Sequence, residues 1–168
     1  MKKLFLIRHA KSSHDDLKIN DIERKLNSRG KEDAPYMARI LKKSGINPDL
    51  IFSSPAIRAL ETAMLFCKEL EYPREAILID PVLYSFNKSQ ILSFIMSIDS
   101  NADTVLIFSH NPTFHEIANH FTRNKIPTMP TCCIVGIEFL TDKWDEIEES
   151  DKHLLFYEFP KKHISEVD

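Results

Sequence analysis

Glycine is scarce in this chain, with three among 168 residues. A glycine-rich loop cradling phosphates needs more, so a P-loop is excluded. Cysteine is equally scarce. The three cysteines are an odd number, and Cys132 and Cys133 are adjacent, so on a strand they point to opposite faces. Neither a zinc-ligand spacing nor a CxxC redox pair is present, which predicts reduced thiols in a cytoplasmic setting. Long apolar runs are missing: no stretch approaches the ~20 residues of a membrane span. The apolar run 4–7 follows Lys2 and Lys3 as in a signal peptide, but Arg8 ends it. An h-region needs about 7–15 residues, so a soluble protein is expected. Positive excess is lacking too, with 22 Lys and Arg against 25 Asp and Glu and a net charge of −3. That gives no footprint for nucleic acid. The pairs Lys2-Lys3 and Lys161-Lys162 read as solvated ends.

What is present is an alternation of short apolar runs and helical stretches. Runs at 3–7, 50–53, 76–79, 104–108, 132–139 and 153–159 read as strands. Several are continuous rather than alternating, as in strands covered on both faces. Met37, Ile40 and Leu41 share a helical face, as do Ala59, Ala63 and Phe66 within 55–70, where Pro55 marks the first turn. Further helices are expected at 88–98 and 112–121. A helix starting near Asn27 would carry Pro35 in its interior, with a kink, or the helix starts later. The order predicts one α/β domain over residues 1–168, a three-layer α/β/α sandwich. Its central sheet is mainly parallel, with an antiparallel pair at one edge. The acidic stretch 144–151 reads as a solvated loop between the last two strands.

Ligands bind at the carboxyl ends of strands in open parallel sheets. The first strand ends in Arg8-His9. The second ends in Ser53-Ser54, followed by a helix carrying Arg58. The fourth ends in Ser109-His110-Asn111-Pro112. Two arginines and two histidines thus converge on one end of one sheet. That set suits phosphoryl transfer, where charge spread over three equatorial oxygens rewards positioning and electrostatic stabilisation. Guanidiniums hold such oxygens bidentately. A neutral imidazole can attack phosphorus, and a protonated one can donate to an oxygen. His110, His115 and His120 recur every five residues, which on a helix sets successive side chains about 140° apart, away from the i, i+4 geometry of a metal site. His115 and His120 read as surface or packing residues. Lys11, Ser12 and Ser13 either contact substrate or form the loop after the first strand.

These blocks resemble the histidine phosphatase superfamily, whose mark is an Arg-His pair closing the first strand. The nearest branch is the SixA-type phosphohistidine phosphatases. The matching pieces are the run 6–13 around Arg8-His9, the run from Asp21 through Arg24 to Arg29-Gly30, the run 53–62 around Arg58, and Ser109-His110-Asn111-Pro112. The resemblance implies that His9 accepts the phosphoryl group and that Arg8, Arg58 and His110 complete its pocket. Arg24 would sit at the pocket rim, with Asn111 as a second substrate-binding residue. It implies no metal and no cofactor, and a phosphohistidine-bearing protein as partner. Ala10 stands where many relatives have glycine, which would strain a positive φ. Relatives acting on alcohol phosphates supply an acid after the third strand. Here Asp80 is the only candidate. The runner-up is a phosphomonoesterase for a small metabolite. A non-catalytic phosphate-binding protein is the third reading.

Overall fold

The computed structural model describes residues 1–15 and 17–164; Asp16 and residues 165–168, included in the single domain expected from sequence, lie outside the described residues. Six strands form one sheet: β1 (Lys2–Arg8), β2 (Leu50–Ser53), β3 (Leu78–Ile79), β4 (Thr104–Ser109), β5 (Ile134–Phe139) and β6 (Lys152–Glu158). Their order is β3-β2-β4-β1-β5-β6. The first four run parallel, while β5 is antiparallel to both β1 and β6. The expected three-layer architecture with an antiparallel edge is present.

The described residues form five α-helices: α1 (Ser28–Lys43), α2 (Ile57–Leu70), α3 (Lys88–Met96), α4 (Thr113–Phe121) and the short α5 (Pro160–Ile164). Strand side chains alternate in direction, and that alternation sorts the core into two layers. Phe5 and Ile7 of β1 pack with Met37, Leu41 and Phe66 from α1 and α2. Leu4 and Leu6 pack on the opposite face with Ile91, Ile95, Phe114 and Ile117 from α3 and α4. Both faces of β1 are therefore dry, which is why its sequence is apolar throughout. Cys132 and Cys133 fall in opposite layers, although both precede β5.

Several local expectations need correction. The third strand is only Leu78–Ile79, because Arg74–Ala76 turns as a 3-10 helix. The second helix starts at Ile57 with Ala56 as its cap, so Pro55 lies outside it. Helix α1 does start after Asn27 and contains Pro35, its buried stripe of Ala34, Met37, Ala38 and Leu41 running past the proline. Ala10 has no positive φ; among the described residues other than glycine only Glu71 and Cys132 do. The stretch 144–151 is not merely solvated. Trp144 and Ile147 are fully buried, and Trp144 Nε1 donates to the Ala102 carbonyl at 2.8 Å. Lys2 is likewise not a solvated end: it is buried, with Nζ 2.8 Å from Asp103 Oδ1.

Candidate active site

Parallel registration brings three strand ends together. Arg8 pairs with Ser109 and Ser53 pairs with Phe108, so β1, β2 and β4 stop at one level. Beyond them lies a pocket of about 590 Å³ that takes in Arg8, His9, Arg24, Arg58, His110 and Asn111. All six residues expected from the sequence thus border one cavity.

The backbone around His9 is held from three sides. Its N–H donates to the Ser109 carbonyl at 3.1 Å, and its carbonyl accepts from Cys132 at 3.0 Å. The next N–H, of Ala10, donates to Thr62 Oγ1 at 3.0 Å. The His9 ring is buried, and Nδ1 lies 2.7 Å from the Ala10 carbonyl. A carbonyl only accepts, so Nδ1 carries the hydrogen and Nε2 keeps its lone pair. Burial, reinforced by the charges of Arg58, Arg8 and Arg24, pushes the His9 pKa down to about 3. The ring is neutral at physiological pH.

His110 stands beside it, ring centroids 5.3 Å apart. Its Nε2 is 2.8 Å from Ser54 Oγ, which already accepts from the Ala56 N–H at 3.1 Å. Among the described contacts the Ser54 hydroxyl has no other acceptor, so it donates to Nε2 and leaves the His110 proton on Nδ1. Burial and the Arg58 charge lower the His110 pKa to about 3. The His110 ring is therefore neutral at physiological pH, and its Nδ1–H is the proton it can donate.

The arginines are fixed by oxygen acceptors. Arg8 donates to the Met129 carbonyl at 3.1 Å, which Asn111 Nδ2 also reaches at 2.8 Å. Arg58 donates to the Asp21 carbonyl at 2.7 Å and to its Oδ2 at 3.0 Å. Arg24 grips Asp21 Oδ1 through Nε and NH2, at 3.1 and 2.9 Å, and reaches Ser12 Oγ at 2.7 Å. Burial, with repulsion from Arg58, lowers the Arg8 pKa, partly offset by Cys133. Arg8 Nε, Arg58 Nε and His110 Nδ1 are buried without a partner.

Asp21 and Tyr84 are pocket residues that the sequence reading did not single out as site residues. The Tyr84 hydroxyl donates to Asp21 Oδ2 at 2.6 Å. Partial burial pushes the Asp21 carboxyl up. Its bonds from Tyr84, Arg24 and Arg58 outweigh that and hold it well below the usual carboxylate range. The spacing of Asp21 and Arg24, three residues apart, is a sequence signal for an ion pair. No such signal links either to Tyr84. Asp80 is not on the pocket wall. Its carboxylate accepts from the Val82 N–H at 3.0 Å and caps a 3-10 turn. His115 bonds the Ile126 carbonyl, and His120 faces Glu148. Among the described residues no group of three or more His, Cys, Asp or Glu is placed to hold a metal ion.

Residues 4–83 match the histidine phosphatase superfamily (branch 1). An uncharacterised chloroplastic protein of Arabidopsis thaliana is 32% identical over 153 residues, covering 86% of this chain and 70% of that one. Among solved structures, the protein histidine phosphatase SixA complexed with tungstate superposes with a TM-score of 0.81, at 20% identity. That match covers 96% of this chain and 99% of the other. The alpha-ribazole phosphatase of Shigella flexneri shares the fold at a TM-score of 0.64 and 19% identity, over 84% of this chain and 92% of that one. Sequence match and shared architecture agree: the chain belongs to the histidine phosphatase superfamily.

Proposed function

We propose that this chain is a metal-independent phosphatase that dephosphorylates phosphohistidine on a partner protein, through a phosphohistidine intermediate on His9. One observation carries the reading. His9 is buried and neutral, its Nδ1–H is tied to a carbonyl, and three guanidiniums border the same pocket. Its free Nε2 is then a nucleophile at neutral pH. Nε2 bonds to phosphorus as the bond from phosphorus to the substrate imidazole nitrogen breaks. The leaving imidazole takes its proton from water. A second water attacks phosphorylated His9, releases inorganic phosphate and restores the ring.

Arg8 and Arg58 hold the phosphoryl oxygens, and His110 Nδ1–H donates to one of them. The unpaired Arg8 Nε, Arg58 Nε and His110 Nδ1 find their partners in those oxygens. Arg24 and Asn111 position the substrate at the rim. The guanidiniums supply the charge stabilisation that a metal ion supplies elsewhere. The tungstate complex of SixA supports an oxyanion site here.

The leaving group decides the substrate class. An alkoxide needs a proton, and a positioned acid contributes about 10²–10⁴-fold. The carboxylate on the pocket wall, Asp21, is held ionised by the bond from Tyr84 and by Arg24 and Arg58, and Asp80 is committed to its turn. A phosphorylated imidazole leaves without such help. An ester substrate is the second reading; the Tyr84 hydroxyl, a proton source on the pocket wall, favours it. Three buried, unbridged cysteines suit a reducing compartment, and we place the protein in the cytoplasm. Among the described residues no helix is long and apolar enough to cross a membrane.

The test compares turnover of a phosphohistidine peptide and phosphoramidate with a panel of alkyl phosphates. Phosphohistidine should turn over at least about 10²-fold faster, the low end of what a missing acid costs an ester. His9→Ala should abolish turnover and the acid-labile, alkali-stable phosphoenzyme. Ester hydrolysis at a matching rate, or an active His9→Ala enzyme, sinks the reading.

A further inference from the structure

Next to the phosphate pocket lies a second, smaller depression of about 170 Å³, walled by Lys11, Arg29, Asp33, Thr131, Phe159 and Lys161. Lys11 and Thr131 border both cavities, so the two are contiguous. The Met129 carbonyl holds Arg8 and Asn111 of the larger cavity, and its neighbours Pro130 and Thr131 line the smaller one.

The first turn of α1 fixes this geometry. The Asn27 N–H donates to the Lys11 carbonyl at 3.0 Å. Gly30 packs so closely there that a Cβ would lie 2.2 Å from the Lys11 oxygen. The same turn carries Arg29. Helix α5, carrying Lys161, is held against α1, with the Tyr36 and His163 rings edge to face at 6.0 Å.

The charges do not balance. Arg29 is neutralised by Asp33 at 3.1 Å. Lys11 and Lys161 have no ion pair among the described residues. Among the described residues, two cations without an ion pair therefore border one concave site on a chain of net charge −3. Like charges gathered without counterions repel, and an anion relieves that repulsion.

We infer that this depression is an anionic subsite, which receives an acidic side chain of the partner protein from beside its phosphorylated histidine. The inference rests on the phosphohistidine reading of the main pocket. Lys11 stands between the two anions, and Lys161 and Arg29 meet only the second. Partly exposed ion pairs are individually weak, so two or three together should change KM by about three- to tenfold and leave kcat alone.

The probes are two synthetic phosphohistidine peptides, one with glutamates flanking the histidine and one with glutamines, alongside phosphoramidate. The wild-type enzyme should show a three- to tenfold lower KM for the glutamate peptide, and the preference should shrink in high salt. Lys161→Glu should erase or reverse the preference. Arg29→Gln should weaken it, with phosphoramidate turnover unchanged in both variants. Equal KM values for the two peptides in the wild-type enzyme overturn the subsite, as does a preference that survives Lys161→Glu. Failure to hydrolyse phosphoramidate and both peptides would instead overturn the reading of the main pocket.

Discussion

Acid should destabilise this protein through its two pocket histidines. In the unfolded chain each titrates near the ordinary value of about 6.5. In the folded chain burial and the neighbouring arginines bring both to about 3. Between those values the unfolded chain binds protons that the folded chain refuses, so stability is full above about pH 6.5 and falls as pH drops toward 3. At pH 5 the penalty is about 2 kcal/mol per histidine, against about 0.2 kcal/mol at pH 7. Any folded value below about 4 gives nearly the same result at pH 5. The pair together should remove about 4 kcal/mol, a large part of a typical domain's 5–15 kcal/mol. The assay is urea unfolding at pH 7 and pH 5 and constant ionic strength, followed by fluorescence of the sole, buried Trp144. Wild type should lose about 4 kcal/mol more than the double variant His9→Gln/His110→Gln, and each single variant about half that excess. Sulfate in the pocket should shrink the loss, because a bound dianion raises both pKa values. Equal losses for wild type and the double variant would refute the reasoning.

Three further outcomes are expected. Arg58→Ala should lower phosphoramidate turnover by about 10²–10³, the usual cost of one preorganised donor to developing charge, and Arg58→Lys should restore little because the planar fork is lost. Measured kcat/KM within a few-fold of wild type would contradict that. Exhaustive chelation should leave activity intact; loss with chelator and recovery with one metal ion would count against the mechanism. Gly30→Ala should cost about 1–3 kcal/mol in unfolding measurements, because the new methyl meets backbone at Lys11 rather than a yielding side chain. An unaltered midpoint would mean that the first turn of α1 tolerates displacement.

Much of the fold is legible because the sheet is covered on both faces. The unbroken apolar run of β1 follows from one layer taking Phe5 and Ile7 and the other Leu4 and Leu6. The less legible elements are those whose surroundings override their local pattern. Helix α1 runs through Pro35 because its stripe from Ala34 to Leu41 is buried against the sheet, and tertiary burial outweighs the local cost. The short β3 hides for the opposite reason: Leu78 and Ile79 are exposed, so their apolar character overstates the strand. Trp144 looks solvated among its acidic neighbours, yet its indole is buried in the core and donates to the Ala102 carbonyl, a contact that joins positions 42 residues apart.

The site divides along the same line. Arg8, His9, Arg58 and His110 stand at strand ends or one turn beyond, where topology alone brings them together. Asp21 reaches the pocket from a short 3-10 turn, Asp21–Glu23, through partners 37 and 63 residues distant. No periodicity announces such a meeting. A search for an acid after the third strand finds Asp80, whose carboxylate is spent on its own turn, and passes over the carboxylate on the pocket wall. That carboxylate occupies N–H groups of Arg58 and Arg24. On the proposed mechanism a phosphoryl group would compete with Asp21 for the same guanidiniums. Arg58 thus has an anionic partner in Asp21, which offsets the cost of burying its charge. An acid would have to give up a proton at this position. Held ionised by the bond from Tyr84 and by the two arginines, Asp21 has none to give, which supports the proposed preference for a leaving group that needs no proton.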